Sequence, residues 1–142
     1  MTDETIEKLT QIFNERAPIA RYFGMKLAFN EREQAMVRLP YNPGLDQAQG
    51  GVHGGVYATM LDSAGWFTAA VAYKRSSWLV TSELSIHFLE PVKEEELIAI
   101  GTMIKKGKRQ AIVEMDLRTA TGGLAAHAVG TFIPQLEIPF LE

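Results

Sequence analysis

The sequence has no cysteine, which excludes disulfides, thiol nucleophiles and thiolate metal sites together. It has no basic excess: 14 Lys and Arg against 17 Asp and Glu leave a formal net charge of −3, and nucleic acid finds no electrostatic footprint. Repeats and low-complexity segments are absent. No Gly-x-Ser-x-Gly elbow is present, which argues against a serine hydrolase, and there is no Walker-type or dinucleotide glycine motif. Histidine is scarce, and His53, His87 and His127 lack metal-ligand spacing, so no metal is expected. The acidic start Met1-Thr2-Asp3-Glu4 is followed by no apolar run, so a cytoplasmic location is the expectation.

What is present suits one soluble domain over residues 1–142, with 46% apolar and 22% charged residues. The stretch from Gly54 to Tyr73 is long enough on paper to span a bilayer. It also holds Gly54, Gly55, Thr59, Asp62, Ser63, Gly65 and Thr68, and a carboxylate at mid-span is costly in lipid. A buried central helix is the better reading.

The chain begins with an amphipathic pattern over Thr2 to Arg16, with Ile6, Leu9, Ile12 and Phe13 at helical spacing, and Pro18 limits its continuation. Met25–Asn30 and Gln34–Leu39 read as a hairpin. Pro40 to Gly51 is an irregular loop punctuated by proline and glycine. The central helix runs from His53 to about Tyr73, and Lys74-Arg75-Ser76-Ser77 closes it with cations. Four strands follow: Trp78–Leu89, Glu96–Lys105, Gln110–Thr119 and Leu124–Pro134. Short turns at Lys106-Gly107-Lys108 and Thr121-Gly122-Gly123 predict a meander of antiparallel neighbours. The fold class is therefore α+β, a sheet wrapped around one helix, with residues 1–23 as an N-terminal helix and connection and 24–134 as the core.

The chemistry concentrates at Gly50-Gly51-Val52-His53-Gly54-Gly55, where the chain enters the central helix. The first N–H groups of a helix have no intrahelical partner and sit at its positive end. Glycine leaves such an N–H open to a carbonyl oxygen that gains charge during attack; equally, the glycines can serve only a tight entry or close packing. Asp62 is the one charged side chain between His53 and Lys74, and no Lys or Arg stands three or four residues from it. Its charge needs either a partner from a strand, Ser63 or Thr59, or a use as general base or nucleophile.

Length constrains that use. Gly54 and Asp62 lie eight residues apart, about 12 Å along a helix axis. One carbonyl cannot lie within hydrogen-bond reach of both in a single straight helix. If they act together, they come from two copies of the chain, as an antiparallel helix pair in a two-fold dimer would provide.

These residues resemble the hotdog-fold acyl-CoA thioesterases, and among them the PaaI-like group (phenylacetyl-CoA and 4-hydroxybenzoyl-CoA thioesterases). The likeness rests on His53-Gly54-Gly55 heading a long helix, on the acid eight residues after Gly54, and on the glutamine six residues before His53. The Leu89-Glu90-Pro91-Val92 strand ending adds to it, and it runs from about Gly24 to Pro134. The resemblance implies acyl-CoA hydrolysis to free acid and CoA. Asp62 would act as base or nucleophile, and the Gly54 N–H would polarise the carbonyl. Gln47 would orient the thioester or the water, with Gln49 as the position it could be confused with. His53 would assist positioning, Thr81 would supply a hydroxyl near the acid, and Gly55 would line the substrate site. Coenzyme A phosphates would meet the cluster Lys105, Lys106, Lys108 and Arg109, of which Lys108 and Arg109 are taken as binding residues. Trp66, Tyr57 and Phe88 are candidate walls of the acyl pocket or simply core. The resemblance further implies no cofactor beyond the CoA of the substrate, and a homodimer that pairs into a dimer of dimers.

Other functions compete. A hotdog acyl-thioester dehydratase or hydratase would need a histidine after Asn42-Pro43, where Gly44 stands. A non-catalytic acyl-CoA-binding module should have lost the acid, and Asp62 is present. His127, among alanines on a strand, reads as structural; His87, beside Phe88, is a candidate for substrate contact.

Overall fold

Six antiparallel strands and one long helix account for most of residues 3–73 and 77–139, which a computed structural model of the chain describes. The elements are α1 (Asp3–Gln11), α2 (Pro18–Phe23), β1 (Lys26–Phe29), β2 (Ala35–Leu39), α3 (Gly54–Ala72), β3 (Ser77–Phe88), β4 (Leu97–Lys106), β5 (Ala111–Thr119) and β6 (Leu124–Pro139). They form the hotdog arrangement, a sheet around a central helix with helix added at the N-terminus.

The first helix is shorter than its hydrophobic spacing predicts. It gives way at Gln11 to a π-helical turn over Ile12–Arg16, which buries Ile12 and Phe13. Pro18 then opens α2 rather than only ending what precedes it, because the first helical position needs no N–H. Of the cations expected to close α3, Lys74 and Arg75 lie outside the described residues, and Ser77 already belongs to β3.

The sheet order is β1-β2-β4-β5-β6-β3, which corrects the four-strand meander. Of the four strands after α3, only β4, β5 and β6 follow one another as neighbours. The β3–β4 connection is long, and β3 pairs with β6 in a ladder that includes Val80↔Ile133 and Phe88↔Ala126. A twelve-residue strand is thereby left with one edge unpaired among the described residues.

Nearly every side of α3 is apolar, as a helix enclosed by a sheet requires. Two glycines set how closely helix and sheet approach. A Cβ on Gly65 would stand 2.7 Å from both Met115 Sδ and Phe132 Cζ. On the facing strand, a Cβ on Gly101 would stand 2.5 Å from Thr68 Oγ1 and 2.7 Å from the Ala64 carbonyl oxygen. Thr68 is buried but satisfied: its hydroxyl donates to the Ala64 carbonyl at 2.8 Å and accepts the Ala35 N–H at 3.0 Å. The helix is thus pressed onto β4–β6, and the stripe Gly55, Ala58, Thr59, Asp62, Ser63 and Trp66 stays partly open.

Candidate active site

The site begins with the cap of α3. His53 has extended backbone angles (φ −64°, ψ 138°), and its Nδ1 accepts the Gly55 N–H at 2.8 Å. A ring that accepts at Nδ1 is neutral and carries its proton on Nε2. The Val56 N–H donates to the His53 carbonyl at 2.9 Å. The Gly54 N–H, between them, makes no hydrogen bond among the described residues. The helix therefore presents one open donor at its positive end. The Gly55 N–H, in contrast, is occupied by His53.

Asp62 sits two turns further along, half-buried on the open stripe. Its Oδ1 accepts the Thr81 hydroxyl at 2.8 Å, so the strand partner is a neutral donor and no cation is paired with it among the described residues. Burial pushes the Asp62 carboxyl up, and the Thr81 hydrogen bond pulls it partly back. A register shift between Thr81 and Glu83 breaks the alternation of β3 beside this contact, as bulges near functional groups do.

The loop before the helix holds itself together. Gln47 accepts the Gln49 N–H through Oε1 at 2.6 Å, while its own N–H and carbonyl pair with Gly51 and Gly50. Gly50 closes this turn at φ 95°. The Gln47 amide nitrogen lies 3.1 Å from where a Cβ on Gly51 would be, so both glutamines belong to one exposed turn next to the helix entry.

Two features near His53 carry no sequence signal. Tyr41 donates to Asp46 Oδ2 at 2.8 Å, while Asp46 Oδ1 is buried and has no hydrogen-bond partner. Beside them opens a cavity of about 380 Å3, lined by Phe23, Leu45, Asp46, His53, Gly55 and Val56 with Gly44. On the other side of the helix entry, Phe88 lies 3.4 Å from where a Cβ on Gly54 would be, and it stacks on Tyr57 with centroids 5.9 Å apart. The Tyr57 hydroxyl donates to the Glu90 carbonyl at 2.8 Å.

The remaining candidates lie elsewhere. Lys105, Lys106, Lys108 and Arg109 occupy the β4–β5 hairpin at the far end of α3, where Tyr73 donates to the Gly107 carbonyl at 2.6 Å and Lys106 Nζ lies 5.0 Å from the Tyr73 ring centre. Trp66 donates to the Leu79 carbonyl and packs on Trp78 at 4.7 Å, one turn beyond Asp62. His127 pairs with Asp116 at 2.6 Å on the sheet, and His87 stands opposite it on β3. No described helix is long and apolar enough to cross a membrane.

A long helix wrapped by a six-stranded antiparallel sheet makes this a hotdog-fold protein. Residues 49–126, more than half of the chain, match the family described as the Thioesterase superfamily, and the chain belongs to that family. Thioester hydrolysis is the general activity this membership supports. A Saccharolobus solfataricus protein provisionally named an esterase is 29% identical over 130 residues, covering 92% of each chain. The medium/long-chain acyl-CoA thioesterase YigI of Escherichia coli is 23% identical over 146 residues, covering 92% of this chain and 94% of its own. The structure of the E. coli PaaI protein from the phenylacetic acid degradation operon superposes with a TM-score of 0.81 at 17% identity, over 93% of this chain and 94% of that one.

Proposed function

We propose that the protein hydrolyses acyl-CoA thioesters at two equivalent sites, each shared between two copies of the chain. The observation that carries this reading is Asp62: a half-buried carboxylate raised by burial, held by a hydroxyl and left open on its outer side. Such an acid can take a proton from water or attack the carbonyl carbon itself. The Gly54 N–H of the other copy polarises the carbonyl and stabilises its developing charge. In this reading Gln47 orients the thioester or the water, the Nε2–H of His53 assists positioning, and Thr81 steadies the acid.

Two surfaces support the pairing. The open stripe of α3 needs a cover, and the free edge of β3 exposes Trp78, Val80 and Phe88 along a strand with unpaired backbone groups. Two-fold association closes both at once. A second pairing, of dimer with dimer, would use the outer sheet face, where Ile98, Ile100, Ile112 and Val129 are partly or fully exposed. The hairpin cations fit a coenzyme A substrate by distance. Tyr73 lies eleven residues beyond Asp62, about 16 Å along the helix, and Gly107 is bonded to it.

The test is release of free thiol from aryl- and fatty-acyl-CoAs, with Asp62→Asn and Asp62→Ala alongside. Turnover by the wild type that both variants lose is the expected result. Tight acyl-CoA binding without turnover would make the protein a binding module, and full activity in Asp62→Ala would remove the acid from the mechanism.

A further inference from the structure

The strand that holds the acid is under-determined by its own ladder. Over Leu79 to Thr81, β3 lies between two register shifts in its pairing with β6, one between Ser77 and Leu79 and one between Thr81 and Glu83. Its other edge is unpaired among the described residues. Leu79 stands opposite Pro134, which has no N–H to offer the Leu79 carbonyl. Yet the Thr81 hydroxyl must meet Asp62 Oδ1 at 2.8 Å. A slip of one residue would abolish that bond, because alternate residues of a strand face opposite sides.

A donor for Leu79 comes from α3. The Trp66 Nε1–H donates to its carbonyl at 2.9 Å. Trp66 and Asp62 are four residues apart on the open stripe of the helix, about 6 Å along its axis. Leu79 and Thr81 are two residues apart on the strand, about 6.6 Å. The two spacings match, so Trp66–Leu79 and Asp62–Thr81 are successive rungs between one helix and one strand. The indole is itself fixed from outside by Trp78, which packs on it at 4.7 Å.

Resting on the thioesterase reading above, we propose that Trp66 is a positioning residue for hydrolysis: its bond to Leu79 sets β3 along α3 and so keeps the Thr81 hydroxyl on the Asp62 carboxylate. Trp66 acts on the acid only through Thr81. A hydrogen bond to the ionised carboxylate favours the form that takes a proton or attacks, and losing it leaves burial unopposed. The acid limb of the pH–rate profile therefore reads where β3 stands, which the bulk of an aromatic ring alone does not set.

Two substitutions separate the N–H from the ring. Trp66→Phe keeps an aromatic ring and loses the donor. Trp66→His offers Nε2–H at the same place in a five-membered ring and loses the fused six-membered one. On one acyl-CoA that the wild type hydrolyses, Trp66→Phe should move the acid limb to higher pH, in the direction expected of Thr81→Val. On that limb kcat/KM should fall by about 2- to 10-fold, the effect of one hydrogen bond, with the alkaline plateau kept within about 2-fold. Trp66→His should leave the limb at or below its wild-type position, since a protonated imidazole lowers a carboxyl rather than raising it. In a Thr81→Val background, Trp66→Phe should move the limb no further, because both changes remove the same bond. A limb unmoved by Trp66→Phe, raised by Trp66→His, or raised equally by Trp66→Phe in both backgrounds overturns the assignment and leaves the hydrolase reading intact. So does a loss that is equal at all pH values and varies with the acyl group, which would make Trp66 a wall of the acyl pocket. If the wild type cleaves no thioester, the hydrolase reading fails, and NMR titration of the 13C-labelled Asp62 carboxyl, assigned through Asp62→Asn, decides the positioning. A carboxyl raised in both Trp66→Phe and Thr81→Val supports it, and one unmoved in Trp66→Phe overturns it.

Discussion

Replacing Gly54 with proline removes the one N–H assigned to the thioester carbonyl and little else. Gly54 is the first residue of α3, where proline is tolerated because no intrahelical bond is lost. The residue before a proline must be extended, and His53 already is, at φ −64° and ψ 138°. A Cβ at position 54 meets only Phe88 at 3.4 Å, an ordinary contact. Gly54→Pro should therefore fold and lose about 10²- to 10³-fold in kcat, the usual effect of deleting one oxyanion donor. The same variant tests the shared site. Co-expressed with Asp62→Ala under a different tag, it yields hybrid dimers that can be isolated by two affinity steps. In a hybrid, Gly54 of the Asp62→Ala chain faces Asp62 of the Gly54→Pro chain, so one site is whole and the other lacks both groups. Isolated hybrids should show about half the wild-type activity per dimer, and a random mixture, half of it hybrids, about a quarter. Hybrids no more active than their two parent homodimers would mean that both groups serve one site within one chain, which the 12 Å between them forbids, and the shared-site argument would be refuted.

Three further outcomes follow from particular contacts. Thr81→Val deletes the hydroxyl that holds the Asp62 carboxyl down, so burial acts unopposed and the acid limb of the pH–rate profile should move to higher pH with the alkaline plateau kept; a uniform fall at all pH values would place Thr81 on the water or substrate instead. For stability, the raised carboxyl means that the native state binds more protons than the unfolded chain between the ordinary carboxylate range and the raised value, so stability falls as pH rises through that window. Asp62→Asn should accordingly be more stable than wild type near neutrality by about 0.5–2 kcal/mol, with the gain vanishing in acid, as read by denaturant melts at several pH values. Gly101→Ala forces a methyl to 2.5 Å from Thr68 Oγ1 and 2.7 Å from the Ala64 carbonyl. It should cost at least about 1–3 kcal/mol by overpacking, measured as a drop in the urea midpoint; an unchanged midpoint would mean that α3 is free to lift from the sheet.

The fold was legible where one periodicity ruled a segment. The apolar run with an acid at its middle could only be a helix enclosed by something, and the alternation in β4 and β5 put their inner faces in register with it. Strand order was not legible beyond the hairpins. A turn of two or three residues forces neighbours, but the long Leu89–Glu96 connection leaves β3 free to cross to β6, and nothing local in Ser77–Phe88 says which edge it takes. Pro18 shows the same limit at short range. Its ring speaks against the helix before it and in favour of one after it, and only packing of Ile12, Phe13 and Ala20 decides that both statements apply.

The candidate site divides along the same line. Asp62 announced itself because a charge on an apolar helix has no cheap local explanation, and Gly54 because a helix start without side chains leaves its N–H open. The cap of His53 on Gly55 was within reach of spacing alone, two residues apart, yet it decides a tautomer, which only the hydrogen-bond geometry reveals. Tyr41 and Asp46 were not recoverable at all. Five residues apart in an irregular loop, they share no periodicity, and the unpartnered Oδ1 of Asp46 exists only once the Asp46–Val52 bridge folds the loop back on the helix entry.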